Sequence, residues 1–144
     1  MSLFSAISVS ASGMTAQRVR AEMLAQNLAN SDTTRTAEGG PYRRRDVVFE
    51  TADAGSSFGS LLDEAGRGLA GVQVSEIRVD NEEAPRRYMP GHPDADKDGY
   101  VGMPRVNPAE DMVDLMGASR GYQANVAAIS AVKDMIQRSI DLFR

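Results

Sequence analysis

From Met112 to Phe143 the chain carries ten positions at alternating three- and four-residue spacing: Met112, Leu115, Ser119, Tyr122, Val126, Ile129, Lys133, Ile136, Ile140 and Phe143. Eight of them are apolar. On a helix they form one long narrow seam, and such a seam is buried along another helix. The start is well marked: Asn107 can cap, Pro108 follows where its missing N–H costs nothing, and Glu110 stands three residues after the cap. A helix from Pro108 to Arg144 is about 54 Å long at roughly 1.5 Å per residue. A compact domain of this chain length spans only about 40 Å. Such a helix extends beyond a compact body, within an elongated monomer or against neighbouring subunits.

The other end repeats the theme more weakly. Leu3, Ile7, Met14, Ala21, Leu24 and Leu28 share one helical face, with Phe4, Ala11 and Ala25 beside them. Small residues at Ala6, Ala11, Ala16, Ala21, Ala25 and Ala29 allow a second helix to approach closely. Ser5, Ser8, Ser10 and Ser12 lower helix propensity, so this first stretch is expected to order on docking. Asn30, Ser31 and Asp32 supply a stop. One reading of the two seams is an ordinary internal core, Ile7, Met14 and Leu28 packing on Tyr122, Val126 and Ile129. The C-terminal segment also has a second apolar flank of Met112, Val113, Met116, Val132, Met135 and Leu142, which one partner helix cannot cover. That excess points to assembly.

Between the ends the chemistry changes. Five of the six prolines lie from Pro85 to Pro108, and Gly39, Gly40 and Pro41 open the region, so turns and strands replace helix. Val47, Val48 and Phe49 form one strand candidate and Val72 to Val79 another. In the second, the apolar phase slips from Val72 and Val74 to Ile77 and Val79, as one bulge residue would cause. Ser56 to Gly71 reads as loop or a short helical turn. The fold class is therefore α+β: long N- and C-terminal helices packed as a coiled-coil-like pair, residues 1–31 and 108–144, with a small β-rich insert over 32–107.

Composition narrows the function. The chain has 144 residues and a net charge of −4, which argues against a nucleic-acid binder even though Tyr42-Arg43-Arg44-Arg45 is basic; a strand edge facing an acidic neighbour suits that cluster better. There is no cysteine, hence no disulfide or thiolate chemistry. No run of 18 apolar residues is present and the first basic residue is Arg18, so neither a membrane span nor a cleaved signal peptide is expected.

Two stretches carry a family resemblance. Ser5 to Asn30, closing on Asn27-Leu28-Ala29-Asn30, resembles the N-terminal signature of flagellar rod and hook proteins. His92 to Asn125, with Ala-Ser-Arg-Gly-Tyr-Gln-Ala-Asn at 118–125, and Gly40-Pro41-Tyr42-Arg43-Arg44 resemble the proximal-rod members of that family. Gln26 stands where the family more often has asparagine. Ser31-Asp32-Thr33-Thr34-Arg35 replaces the usual Gly-Tyr pair, itself a proximal-rod trait. The resemblance implies a structural subunit of the bacterial flagellar basal-body rod, exported through the flagellar type III apparatus without a cleaved signal peptide and stacked in the rod that crosses the periplasm. Its partners would be itself, other proximal and distal rod subunits and the rod-to-MS-ring junction protein. Paired terminal helices would line the export channel and transmit torque. The expected helix–helix and assembly interface comprises Leu3, Ile7, Met14, Leu24, Asn27, Leu28, Asn30, Met112, Leu115, Tyr122, Asn125, Val126, Ile129, Ile136 and Ile140.

No catalytic residue, metal or cofactor is expected. Asp94, Asp96, Asp98 and Gly99 fit the opening of a calcium loop, but its twelfth position is Arg105 where a bidentate glutamate belongs, so an Asx-type turn between short strands is the simpler reading. His92, the sole histidine, has no nucleophile motif around it and reads as a polar loop residue. The competing function is a soluble calcium-responsive or adaptor protein that uses its C-terminal amphipathic helix to bind a partner.

Overall fold

The computed structural model describes residues 3–52 and 70–142. Of the sequence readings, the loop over 56–69 and the last seam residue, Phe143, lie outside the described residues. Helix α1 runs Leu3–Ala29, strands β1 Arg45–Ala52 and β2 Gly71–Val79 form one antiparallel ribbon, β3 Arg86–Tyr88 and β4 Tyr100–Gly102 form a second, and α2 runs Pro108–Asp141. Two long helices with a small strand region between them make the α+β architecture. At 34 residues, α2 is about 51 Å long.

The helix starts and stops follow local chemistry. The Asn107 side chain accepts from the Ala109 amide with Pro108 in the first turn, as the cap residues specify. In α1 the hydroxyls of Ser10, Ser12 and Thr15 turn back onto the carbonyls of Ala6, Val9 and Ala11, which is how a serine-rich segment is accommodated in a helix.

The helices are antiparallel. A Cβ on Gly13 would sit 3.0 Å from the Asn125 side chain and one on Gly121 3.2 Å from Gln17, and farther along Arg20 reaches Asp114 at 3.8 Å. The glycines are therefore points of closest approach.

The β1–β2 ribbon lies along α1, held at both ends. Asn27 grips Arg45 at the start of β1, and the Ser12 hydroxyl accepts from the Val72 amide at 3.1 Å near the start of β2. From Ser12 to Asn27 is about 22 Å of helix at ~1.5 Å per residue, and β1 is about 23 Å at ~3.3 Å per residue. The strand thus matches the helical interval between its anchors. The register shifts between Val48 and Phe49, which pair with Glu76 and Val74, leaving Ser75 as the bulge residue. This is the phase slip visible in the sequence. In the second ribbon Val101 is buried while Tyr88 and Tyr100 meet edge-on at 5.4 Å.

Candidate functional site

The residues that close the helix pair include Leu24 and Asn125, both expected at the helix–helix interface, but leave most of the α2 seam outside it. From α1 they are Ala16, Met23 and Leu24, and from α2 Ala118 and Val132, with Gly121 and Asn125 at the close approaches. On α2 this stripe is small and partly polar and sits one position N-terminal to the seam at 112, 119, 122, 126 and 133. Among the seam residues, Met112 is 52 %, Tyr122 38 %, Val126 40 % and Ile140 57 % exposed. An ideal helix drifts about 20° per heptad against a strict seven-residue repeat. Along the seam burial alternates without such a trend: Leu115, Ile129 and Ile136 are half-buried while Met112 and Ile140 are open.

Leu28 stands at the level of the α2 start, because the helices are antiparallel and Gly13 is already opposite Asn125, so it does not pack on Tyr122, Val126 or Ile129. Val132 belongs to the closed contact and not to an outward flank, whereas Met112, Val113, Met116, Met135 and Leu142 are exposed. The asparagines face inward or back on their own chain. Asn27 is 0 % exposed, Asn30 donates to Gln26 O and accepts from Thr33 Oγ1, and Asn125 donates to Gly121 O from beside Gly13.

The displaced seams still form one feature. By helical position, Leu3, Ile7, Met14 and Ala21 line the flank of α1 away from the ribbon, and Leu115, Tyr122 and Val126 line the adjoining flank of α2. Between them an open apolar trough of about 510 Å³ is walled by Ala21, Leu115, Ala118 and Tyr122 with Gln17 and Arg18 at its α1 rim. The helices approach most closely at small residues, and the larger seam residues Tyr122 and Val126 face sideways.

A polar joint fastens the pair to the ribbon. Asn27 Oδ1 accepts from Tyr42 OH at 2.9 Å and from the Arg45 amide at 3.0 Å, and its Nδ2 donates to Arg45 O at 2.8 Å. Arg44 then spans to α2: its Nη1 lies 2.7 Å from Asp111 Oδ1, while its Nε donates to both oxygens of Asp46. Asp111 is 1 % exposed, and neither carboxylate oxygen receives a directed hydrogen bond among the described residues, so Arg44 acts on it as a charge. Burial raises the Asp111 pKa more than Arg44 lowers it, with Asp46 and Asp114 adding to the rise. For Arg44, burial works against the cation, but Asp46 and Asp111 outweigh it and raise its pKa. Burial also raises the Tyr42 phenol, offset in part by Arg45. The basic cluster thus meets acidic neighbours on its own chain. Asn27→Ala removes three hydrogen bonds worth about 1 kcal/mol each, so chemical denaturation should show a loss of about 3 kcal/mol.

The Asp94–Gly99 segment forms an Asx turn between β3 and β4. Asp96 Oδ1 accepts from the Asp98 and Tyr100 amides, and Gly99 has φ +81°, the left-handed conformation this turn requires. Asp94 accepts from Thr34 Oγ1 and pairs with Arg35, and His92 Nδ1 accepts from the Asp94 amide. Two of the three carboxylates are thus engaged by the chain itself, and no cluster suited to a metal occurs among the described residues. Calorimetry with calcium should show no binding tighter than about 10 μM, the sensor range of such loops; tighter binding would restore the calcium-responsive reading. No described helix is long and apolar enough to cross a membrane.

Comparison with known proteins supplies the family. Residues 7–35 match the family model described as "Flagella basal body rod protein", and residues 97–142 match "Flagellar basal body rod FlgEFG protein C-terminal". The chain is 43 % identical to the flagellar basal-body rod protein FlgC of Bacillus subtilis, over 99 % of each chain. It is 38 % identical to FlgC of Borreliella burgdorferi over 100 % of this chain and 99 % of that one, and 37 % identical to FlgC of Salmonella typhimurium over 99 % and 98 %. The two matched segments are the terminal helices with their flanks, the elements that carry both the closed contact and the trough. The chain belongs to the FlgC family of flagellar basal-body rod proteins, structural subunits of that rod.

Proposed function

We propose that this subunit is exported through the flagellar type III apparatus without a cleaved signal peptide and joins the rod where it crosses the periplasm. There it contacts further copies of itself, other proximal and distal rod subunits and the rod-to-MS-ring junction protein. Residues 1–31 and 108–144 act as the rod core around the export channel, and 32–107 as the outer insert. The observation that carries this reading is the apolar trough beside an already closed helix pair. Tyr122, Val126 and Met112 are exposed beside a helix pair that is already closed, as suits a subunit covered by neighbours. Leu3, Ile7, Met14, Leu28, Leu115, Ile129, Ile136 and Ile140 complete that surface. Leu24 and Asn125 hold the pair itself, and Asn27 and Asn30 hold the turn into the insert.

Torque then passes through side-by-side helix contacts, with the ribbon and its joint bracing each pair against shear. The test is intact-mass spectrometry of the chain recovered from purified basal bodies. The expected mass is that of the sequence beginning at Met1 or Ser2. Absence from basal bodies, or an N-terminus shortened by a signal-peptide length, would contradict the proposal.

A further inference from the structure

We propose that His92 is a proton-operated clasp: neutral, it ties the β3–β4 turn to the segment that leaves α1, and on protonation it lets that segment go. His92 Nδ1 accepts from the Asp94 amide at 3.1 Å. A ring nitrogen accepts only while it carries no proton, so this contact belongs to the neutral imidazole with its proton on Nε2. It turns the chain as an Asx side chain does, and the Ala95 amide donates to His92 O at 3.0 Å in the same turn. Asp94, positioned by that turn, reaches 60 residues back along the chain to Thr34. Its Oδ2 accepts from Thr34 Oγ1 at 2.8 Å and its Oδ1 lies 3.5 Å from Arg35 Nη1. Thr34 and Arg35 lie between the end of α1 and the start of β1.

Protonation alters both contacts. An imidazolium carries a proton on each nitrogen, so Nδ1 and the Asp94 amide become two donors face to face. Asp94 is, among the described residues, the one carboxylate within salt-bridge range of the ring, and its Oδ2, the oxygen that holds Thr34, is 4.0 Å from Nδ1. A charged donor makes the stronger hydrogen bond. The carboxylate therefore turns to the ring and releases Thr34. The other charges nearby do not compete: Asp96 is engaged by the Asp98 and Tyr100 amides, Glu83 and Arg86 on the same open cleft pair with each other at 3.5 Å, and Lys97 and Asp98 are exposed. Val101 anchors β4 by burial, so the change is confined to the turn and the segment it holds.

His92 is the sole histidine, so its ring signals are read without ambiguity. The experiment is an NMR titration of the purified, isotope-labelled full chain between about pH 8 and 5, where histidine charges and ordinary carboxylates do not. On acidification the Asp94 amide is expected to lose the downfield shift that its bond to Nδ1 gives it, and the Thr34 and Arg35 amides to move with the midpoint of the His92 ring. In His92→Gln, whose side-chain oxygen accepts from the same amide at every pH, all three are expected to stay still. In Asp94→Asn the turn amide is expected to follow the ring while Thr34 and Arg35 do not. Thr34 and Arg35 amides that ignore the ring in the natural chain, or that move equally in His92→Gln or Asp94→Asn, would overturn the clasp.

Discussion

Arg44→Met should lower the stability of the subunit by about 3–5 kcal/mol at neutral pH, the usual cost of leaving a buried charge without its partner. Asp111 is 1 % exposed and lacks a directed hydrogen bond among the described residues, so the Arg44 guanidinium at 2.7 Å is its principal compensation. Its position in the first turn of α2, where the helix dipole favours anions, adds a smaller term. The reciprocal change should be far milder. In Asp111→Asn the Arg44 guanidinium keeps Asp46, to which Nε already donates, and burial no longer opposes a charge. Urea denaturation of the two variants should therefore show a strong asymmetry, and equal losses would mean that the pair is not organised around the burial of Asp111.

The same geometry fixes a pH dependence. The folded pKa of Asp111 is raised above its ordinary value of 3.8, chiefly by burial. Between 3.8 and the raised folded value the native state holds a proton that the unfolded state has released. Its contribution to stability is thus fully present below 3.8 and is lost as pH rises through the folded value. Asp111→Asn should accordingly gain on the natural chain as pH rises through that window. In Arg44→Met the attraction that lowers the Asp111 pKa is gone, so the window widens and the deficit should shrink on acidification.

The terminal helices, their cap at Asn107 and the bulge in β2 were legible in the sequence because each depends on neighbours within a few residues: periodicity, an Asn-Pro pair, a one-residue slip in alternation. The Asx turn was legible for the same reason. The joint was not. Asn27 drew notice as part of a terminal signature, and the basic cluster suggested an acidic neighbour, but nothing local says that Tyr42, Arg44, Asn27 and Asp111 converge, since that depends on how the ribbon lies on α1. Asp111, an acidic residue in a helix first turn, looks like any solvated one.

The seams were legible only in part. Apolar spacing identified the residues that need burial but not which partner buries them. The closed contact is instead made by Gly13, Gly121, Ala118 and Asn125, whose small or polar side chains let the backbones approach. A hydrophobicity count passes over such residues. Gly13 and Gly121, isolated glycines inside helical patterns, were the available signal.

The larger functional effect should come from Val126→Asp. Val126 is 40 % exposed on the trough side of α2, so the isolated subunit should change in stability by less than about 0.5–1 kcal/mol, as surface substitutions do. In the rod the same position would place a carboxylate in an apolar helix contact, where an unpaired charge costs several kcal/mol and repeats at every copy. Ile136→Asp should likewise block assembly, but Ile136 is half-buried in the subunit and a loss there would mix folding with assembly. Val126→Asp separates the two. The deciding measurement is swimming motility of cells carrying only Val126→Asp, taken together with the urea midpoint of the purified variant. Non-motile cells are expected, with a midpoint close to that of the natural chain. Normal motility, or a subunit destabilised by several kcal/mol, would contradict the assignment of the trough as the surface on which the rod is built.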